Sequence, residues 1–99
     1  MNNNATLSHS PDTNSIVVPT NFSPRMGTEF FEISDSLHLI KMVEIYDNMD
    51  QLIFRSEDNK TVKWDGTYAG VEAMEGEYHY TLFLNDDKTK IKGKFRLVR

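Results

Sequence analysis

The chain has 99 residues, 38% of them hydrophobic, 26% charged and 11% aromatic, with a formal net charge of −4. That is enough chain for one compact core, and too apolar a composition for a protein without a fold. Cysteine is absent, which excludes a disulfide framework, a thiol nucleophile, a zinc ribbon and an iron–sulfur site. Charge is unevenly spread. Residues 1–50 hold two cations against seven carboxylates, while residues 51–99 hold nine cations against eight. A net acidic chain is a poor nucleic-acid binder by bulk electrostatics. No apolar run approaches the roughly 20 residues of a membrane helix, so insertion into a bilayer is not expected.

The chain opens with Met1-Asn2-Asn3-Asn4, which carries no basic residue and no apolar stretch and reads as lacking a secretory leader. Residues 1–14 are small and polar without any period, an arm that gains order only by lying against something else. Asn2, Asn3 and Asn4 are therefore candidates for contact with a partner. From residue 15 on, short apolar runs alternate with turn signals, the pattern of an all-β sandwich. Ser15–Pro19 reads as a first strand and residues 21–27 as a loop rich in breakers. Glu29–Ile33 is a second strand and Leu39–Asp47 a third, with Val43 and Ile45 on one face and Met42, Glu44 and Tyr46 on the other.

Asn48-Met49-Asp50 turns the chain into Gln51–Ser56, and Thr61–Trp64 is a short strand. Asp65–Gly76 reads as a loop with glycines. Glu77–Leu84 and Lys90–Val98 form a closing hairpin across residues 85–89. Helix is not expected beyond a single turn at Leu37–Ile40, which is too short to be amphipathic. The expectation is an immunoglobulin-like antiparallel β-sandwich of about seven strands over residues 15–99, preceded by the extended polar arm at 1–14.

Several stretches carry a resemblance. Lys63-Trp64-Asp65-Gly66-Thr67-Tyr68 is followed by Gly76-Glu77-Tyr78-His79-Tyr80, and the chain ends Lys92-Gly93-Lys94-Phe95-Arg96-Leu97-Val98-Arg99. With the strand pair from Val43 to Ser56, this resembles the gliding-motility-associated C-terminal domain family, the type B C-terminal domain of proteins exported by the type IX secretion system in Bacteroidetes. That family's acidic glycine loop is replaced here by Ser23–Glu29, its R-W-G turn by Asn48-Met49-Asp50, and its proline by Met74. The resemblance implies an immunoglobulin-like domain that sorts or anchors a protein at the cell surface.

The same residues have architectural roles of their own. Trp64 is a core anchor whose indole N–H can reach a backbone carbonyl. Asp65 suits an Asx turn, with Gly66 supplying positive φ. Gly76, Tyr78 and Tyr80 resemble a tyrosine corner, in which a phenol hydroxyl ties a loop to a strand start.

Chemistry for a reaction is hard to find. His9, His38 and His79 lie far apart, so no metal site is expected. The carboxylates of Asp47-Asn48-Met49-Asp50 and Asn85-Asp86-Asp87 sit in turn positions, and no calcium-loop, nucleophile-elbow, zincin or phosphate-loop motif occurs. No enzyme, no cofactor and no small-molecule substrate is expected.

The strongest surface feature is the last strand. Lys88, Lys90, Lys92, Lys94 and Arg96 share one parity, which period 2 places on a single face, while Ile91, Gly93, Phe95 and Leu97 take the other. The stripe is either a solvated face that blunts a sheet edge or a docking surface for an acidic protein. The functional expectation is a non-enzymatic association module. It acts as an auxiliary (decoration) subunit on a larger assembly such as a bacteriophage capsid or tail, at the virion surface, or alternatively as the surface sorting domain that the resemblance implies.

Overall fold

Residues 15–24, 30–57 and 62–99 are described by the computed structural model. The expected arm at 1–14, with Asn2, Asn3 and Asn4, lies outside them. Within the described residues the strands run β1 (Ile16–Val17), β2 (Asn21–Phe22), β3 (Phe31–Asp35), β4 (Ile40–Tyr46), β5 (Leu52–Ser56), β6 (Val62–Trp64), β7 (Thr67–Tyr68), β8 (Val71–Glu72), β9 (Gly76–Leu84) and β10 (Lys90–Leu97). Alternation drives their formation. In β3, Phe31 and Ile33 are buried while Glu32 and Ser34 are exposed, and in β6 Val62 and Trp64 are buried around exposed Lys63.

Two sheets face each other. One has the order β1-β3-β6 and the other β2-β10-β9-β4-β5, and β7-β8 form a small hairpin apart from them. The first strand pairs with β3 only after the chain has crossed to the other sheet as β2, and β6 completes the smaller sheet; the closing hairpin β9–β10, the hairpin β4–β5 and the short β2 make the larger one. That is the immunoglobulin-type arrangement. The core between the sheets joins Phe31, Ile33, Val62 and Trp64 to Phe22, Val43, Ile45, Tyr78, Leu82, Leu84, Phe95 and Leu97. Its centre is aromatic. Phe95 stacks on Phe31 at 3.9 Å and on Tyr78 at 5.7 Å, and Trp64 meets Tyr78 edge-on at 5.7 Å.

Four details differ from the sequence reading. Asn21–Phe22, read as loop, forms β2 and pairs parallel with β10 at Arg96 and Leu97, so the larger sheet is not purely antiparallel. The chain leaves the smaller sheet after Val17 and passes Pro19, which has no N–H to give a ladder, before joining the larger one. Residues 65–76 conceal the β7–β8 hairpin, whose turn residues Ala69 and Gly70 both have positive φ, 53° and 81°. This is the backbone of a tight hairpin turn, for which Asn-Gly is the usual sequence signal and Ala-Gly is not. Leu37–Ile40 is no helical turn either: the Asp35 carboxylate accepts from the backbone N–H groups of Leu39 and Ile40 at 2.9 and 2.8 Å. Finally, a register shift between Ile40 and Met42 lets Ile40, Val43 and Ile45 all reach the core although their spacing breaks period 2.

Candidate functional site

The outer face of the larger sheet gathers the charged side chains. Register sets its rows. Lys94 stands opposite His79, which stands opposite Tyr46; Lys92 is opposite Thr81, which is opposite Glu44; Arg96 is opposite Glu77 and Lys90 opposite Phe83. Lys90, Lys92, Lys94 and Arg96 are all exposed on this face. Lys88 is exposed too, but it belongs to the turn before β10, so strand parity does not place it.

Few of these cations are tightly engaged. Lys94 Nζ lies 3.8 Å from Glu77 Oε2, and Lys90 Nζ sits 5.4 Å from the centre of the Phe83 ring. Exposed contacts of this kind contribute little to stability.

Thr81 is short and nearly buried between taller neighbours. The dip above it is an open depression of about 600 Å³ bordered by Tyr46, His79, Asp50, Lys92 and Lys94. Cations occupy its β10 side, whereas Asp50 stands on the far side, 3.6 Å from His79 Nε2. The Tyr46 hydroxyl donates to Glu44 Oε1, and this hydrogen bond, reinforced by burial, raises the phenol above its ordinary pKa of 10.0. Burial alone raises Tyr80 in the same direction. Neither phenol is activated as a base or nucleophile by such a shift.

A second concavity of about 450 Å³ lies between the 47–51 turn and the β7–β8 hairpin, edged by Met49, Tyr68, Val71, Met74 and Glu72. Met49, Val71 and Met74 are 83%, 68% and 82% exposed. It is apolar and acidic where the β10 stripe is cationic.

The residues singled out as architectural occupy one end of the sandwich. The Trp64 indole N–H donates to the Thr67 carbonyl at 2.9 Å. Asp65 Oδ1 accepts from the Thr67 N–H at 3.0 Å and its hydroxyl at 2.7 Å, and Gly66 between them has a φ of 84°. The Tyr78 hydroxyl donates to the Met74 carbonyl just ahead of Gly76, where β9 begins. Tyr80 has a different position: it is half-buried, and its ring lies across Gly93, where any Cβ would stand only 2.2 Å from the phenol oxygen.

Arg99 was not singled out from sequence, and it is not part of the stripe. Its guanidinium donates to the Ala73 and Gly66 carbonyls, both at 2.9 Å, and stands 3.5 Å from the Glu72 carboxylate. The last side chain therefore ties the β7–β8 hairpin down. The sequence shows it only as the last residue of the Lys92–Arg99 stretch that carries the resemblance, with no partner indicated.

Aspartates close turns at several points. The Asp47 carboxylate accepts from the N–H groups of Met49 and Gln51, each at 2.9 Å, and Asp86 accepts from Lys88 and Thr89 at 3.0 and 2.8 Å. Those bonds, with the Thr89 hydroxyl first among them, hold the Asp86 carboxyl down at about 2. Among the described residues no group of three or more His, Cys, Asp and Glu side chains is arranged to hold a metal ion.

No protein-family model matches this chain, and no curated protein sequence matches it. A solved structure does. Over 89% of its length the chain superimposes, with a TM-score of 0.71 and 21% identity, on part of PorZ, an essential bacterial surface component of the type IX secretion system of Porphyromonas gingivalis. What the two share is the fold. The chain spans 12% of the length of that protein.

Proposed function

We propose that this chain is a non-enzymatic β-sandwich module that sorts or anchors a protein at the bacterial cell surface through the type IX secretion route. The observation that carries the reading is the likeness in fold, over 89% of this chain, to part of a surface component of that system. The motifs between Val43 and Arg99 that resemble the type B C-terminal domains point to the same secretion route. Support also comes from the distribution of chemistry. The tyrosine corner and the Trp64 turn hold the frame, and the exposed groups concentrate on one charged sheet face suited to association. The alternative of a decoration subunit on a phage particle draws nothing from the comparison.

A reporter directed to the periplasm and carrying these 99 residues at its C-terminus tests the reading. In a Bacteroidetes host with an intact type IX system, the reporter reaches the cell surface or the medium. In the same host with that system disabled, it stays in the periplasm. Equal distribution in both hosts overturns the proposal.

A further inference from the structure

Among the described residues, strand β10 is paired along its whole length on one side and only at its end on the other. Its register with β9 runs from Lys90–Phe83 to Leu97–Gly76, whereas β2 meets it only at Arg96 and Leu97. The direction of each backbone group follows from the hydrogen bonds at the two ends. The Thr89 carbonyl accepts from Leu84 N–H at 3.1 Å, on the β9 side. Arg96 N–H donates to the Thr20 carbonyl at 2.9 Å and Val98 N–H to the Phe22 carbonyl at 2.8 Å, on the β2 side. Successive residues of a strand alternate. The N–H and C=O groups of Lys90, Lys92 and Lys94 therefore point away from β9, and among the described residues nothing pairs with them.

This open edge has a definite chemistry on each side. Outward, it carries the ammonium groups of Lys90, Lys92 and Lys94, followed by Arg96. Inward, it carries half-buried Ile91 and the Tyr80 ring lying over Gly93. The edge extends about 17 Å, the length of an ordinary strand.

We propose that the Lys90–Lys94 edge of β10 accepts an extended acidic segment of a partner protein as an added strand. The proposal rests on reading the chain as an association module, and not on the route by which the chain travels. Unpaired ladder groups supply the affinity in this mode, and alternate side chains supply the selectivity. Facing residues on neighbouring strands stand about 5 Å apart, close enough for opposite charges to attract and like charges to repel. A second copy of β10 would set lysine against lysine. A segment alternating Asp or Glu with small aliphatic residues would set carboxylates on the lysine face and apolar groups beside Ile91 and Tyr80. Lysines on an edge keep identical chains apart; here the same repulsion selects a partner of opposite sign.

The test uses the full chain and a blocked eight-residue peptide alternating Glu and Val, read by amide hydrogen exchange and NMR titration. Without peptide, the amides of Lys90, Lys92 and Lys94 exchange fast, and those of Ile91, Gly93 and Phe95 slowly. With peptide, the three lysine amides become protected by at least tenfold, and the protection weakens as salt rises. A Lys–Val peptide has no effect. The same Glu–Val peptide N-methylated at alternate amides keeps its charge but cannot extend a ladder, and it binds at least tenfold more weakly.

Protection of the lysine amides before peptide is added overturns the proposal, because the edge is then already covered by the chain itself or by a second copy. Equal binding by polyglutamate or an anionic polysaccharide without amide protection also overturns it, and makes the stripe a polyanion surface. Failure here with the export reporter still working removes this mode of docking and leaves the sorting function standing.

Discussion

The two halves of β10 have different fates although they are one strand with one alternation. In the C-terminal half, Phe95 and Leu97 are buried, and the backbone is paired on both sides at Arg96 and Leu97. In the N-terminal half, no inward side chain is fully buried, and among the described residues the backbone is paired with β9 alone. Pairing with a two-residue strand makes the difference. Where β2 lies alongside, β10 belongs to the interior; where it stops, β10 becomes an edge that carries cations. The lesson is that one strand can anchor itself at one end and present a surface at the other, with no change in sequence pattern between them.

If the anchored end depends on aromatic packing, Trp64→Ala breaks it with the largest effect. Trp64 touches Phe22, Phe54, Tyr78 and Phe95, and its N–H bond to Thr67 goes as well. The expected cost is about 3–5 kcal/mol, a large share of what a domain this size possesses, read as a fall in the denaturation midpoint. Arg99→Ala comes next. It leaves the Gly66 and Ala73 carbonyls without their cationic donor, a loss of about 2 kcal/mol. Arg99→Lys recovers only part of it, because an ammonium cannot serve both carbonyls in the fork geometry of a guanidinium.

Gly93→Ala probes the boundary between the halves. The new methyl collides with the Tyr80 ring, and forcing that ring aside costs about 1–3 kcal/mol. In a Tyr80→Ala background the same substitution costs little, so the double-mutant cycle shows a coupling of about 1–3 kcal/mol, nearly the whole cost of the single substitution. Additivity would mean that the ring does not rest on Gly93. On the open half the order reverses. Lys92→Glu changes stability by less than about 0.5 kcal/mol, yet it abolishes protection by the acidic peptide. A large stability loss from that substitution would mean that the stripe is structural.

Much of this could be read from the sequence because it is local. The alternation in β9, β10 and the second half of β4 needs only period 2, and the turn roles of Asp65, Gly66 and Asp86 need only neighbours along the chain. What escaped is set by partners far away in sequence. Asn21–Phe22 is a strand only because Arg96 and Leu97 lie beside it. The β7–β8 hairpin hid behind an Ala-Gly turn, and the register shift near Lys41 hid why Ile40 is inside. The cationic face of β10 was legible, but its edge was not, since whether a strand is an edge depends on the order of the sheet. Likewise Arg99 read as one more cation, while its partners at Gly66 and Ala73 lie in a loop that only the fold brings near.

The smallest effect concerns the turn that delivers the chain to the open edge. Asp86 holds the N–H groups of Lys88 and Thr89 immediately ahead of Lys90, and its carboxyl is held down at about 2 against 3.8 for an ordinary aspartate. A carboxyl whose folded value is depressed contributes stability that is present above its unfolded value and is lost as pH falls through its folded value. The contribution is therefore complete above pH 3.8 and fades on acidification toward about 2. A carboxyl-carbon NMR titration should give a midpoint near 2 for Asp86, with the Thr89 amide shifting in step. Asp86→Asn removes that step and leaves the Phe95 and Leu97 amides unchanged, because the anchored half does not rely on this turn. A midpoint near 3.8 would mean that the turn is loose in solution, and that the edge beginning at Lys90 is not held ready for a partner.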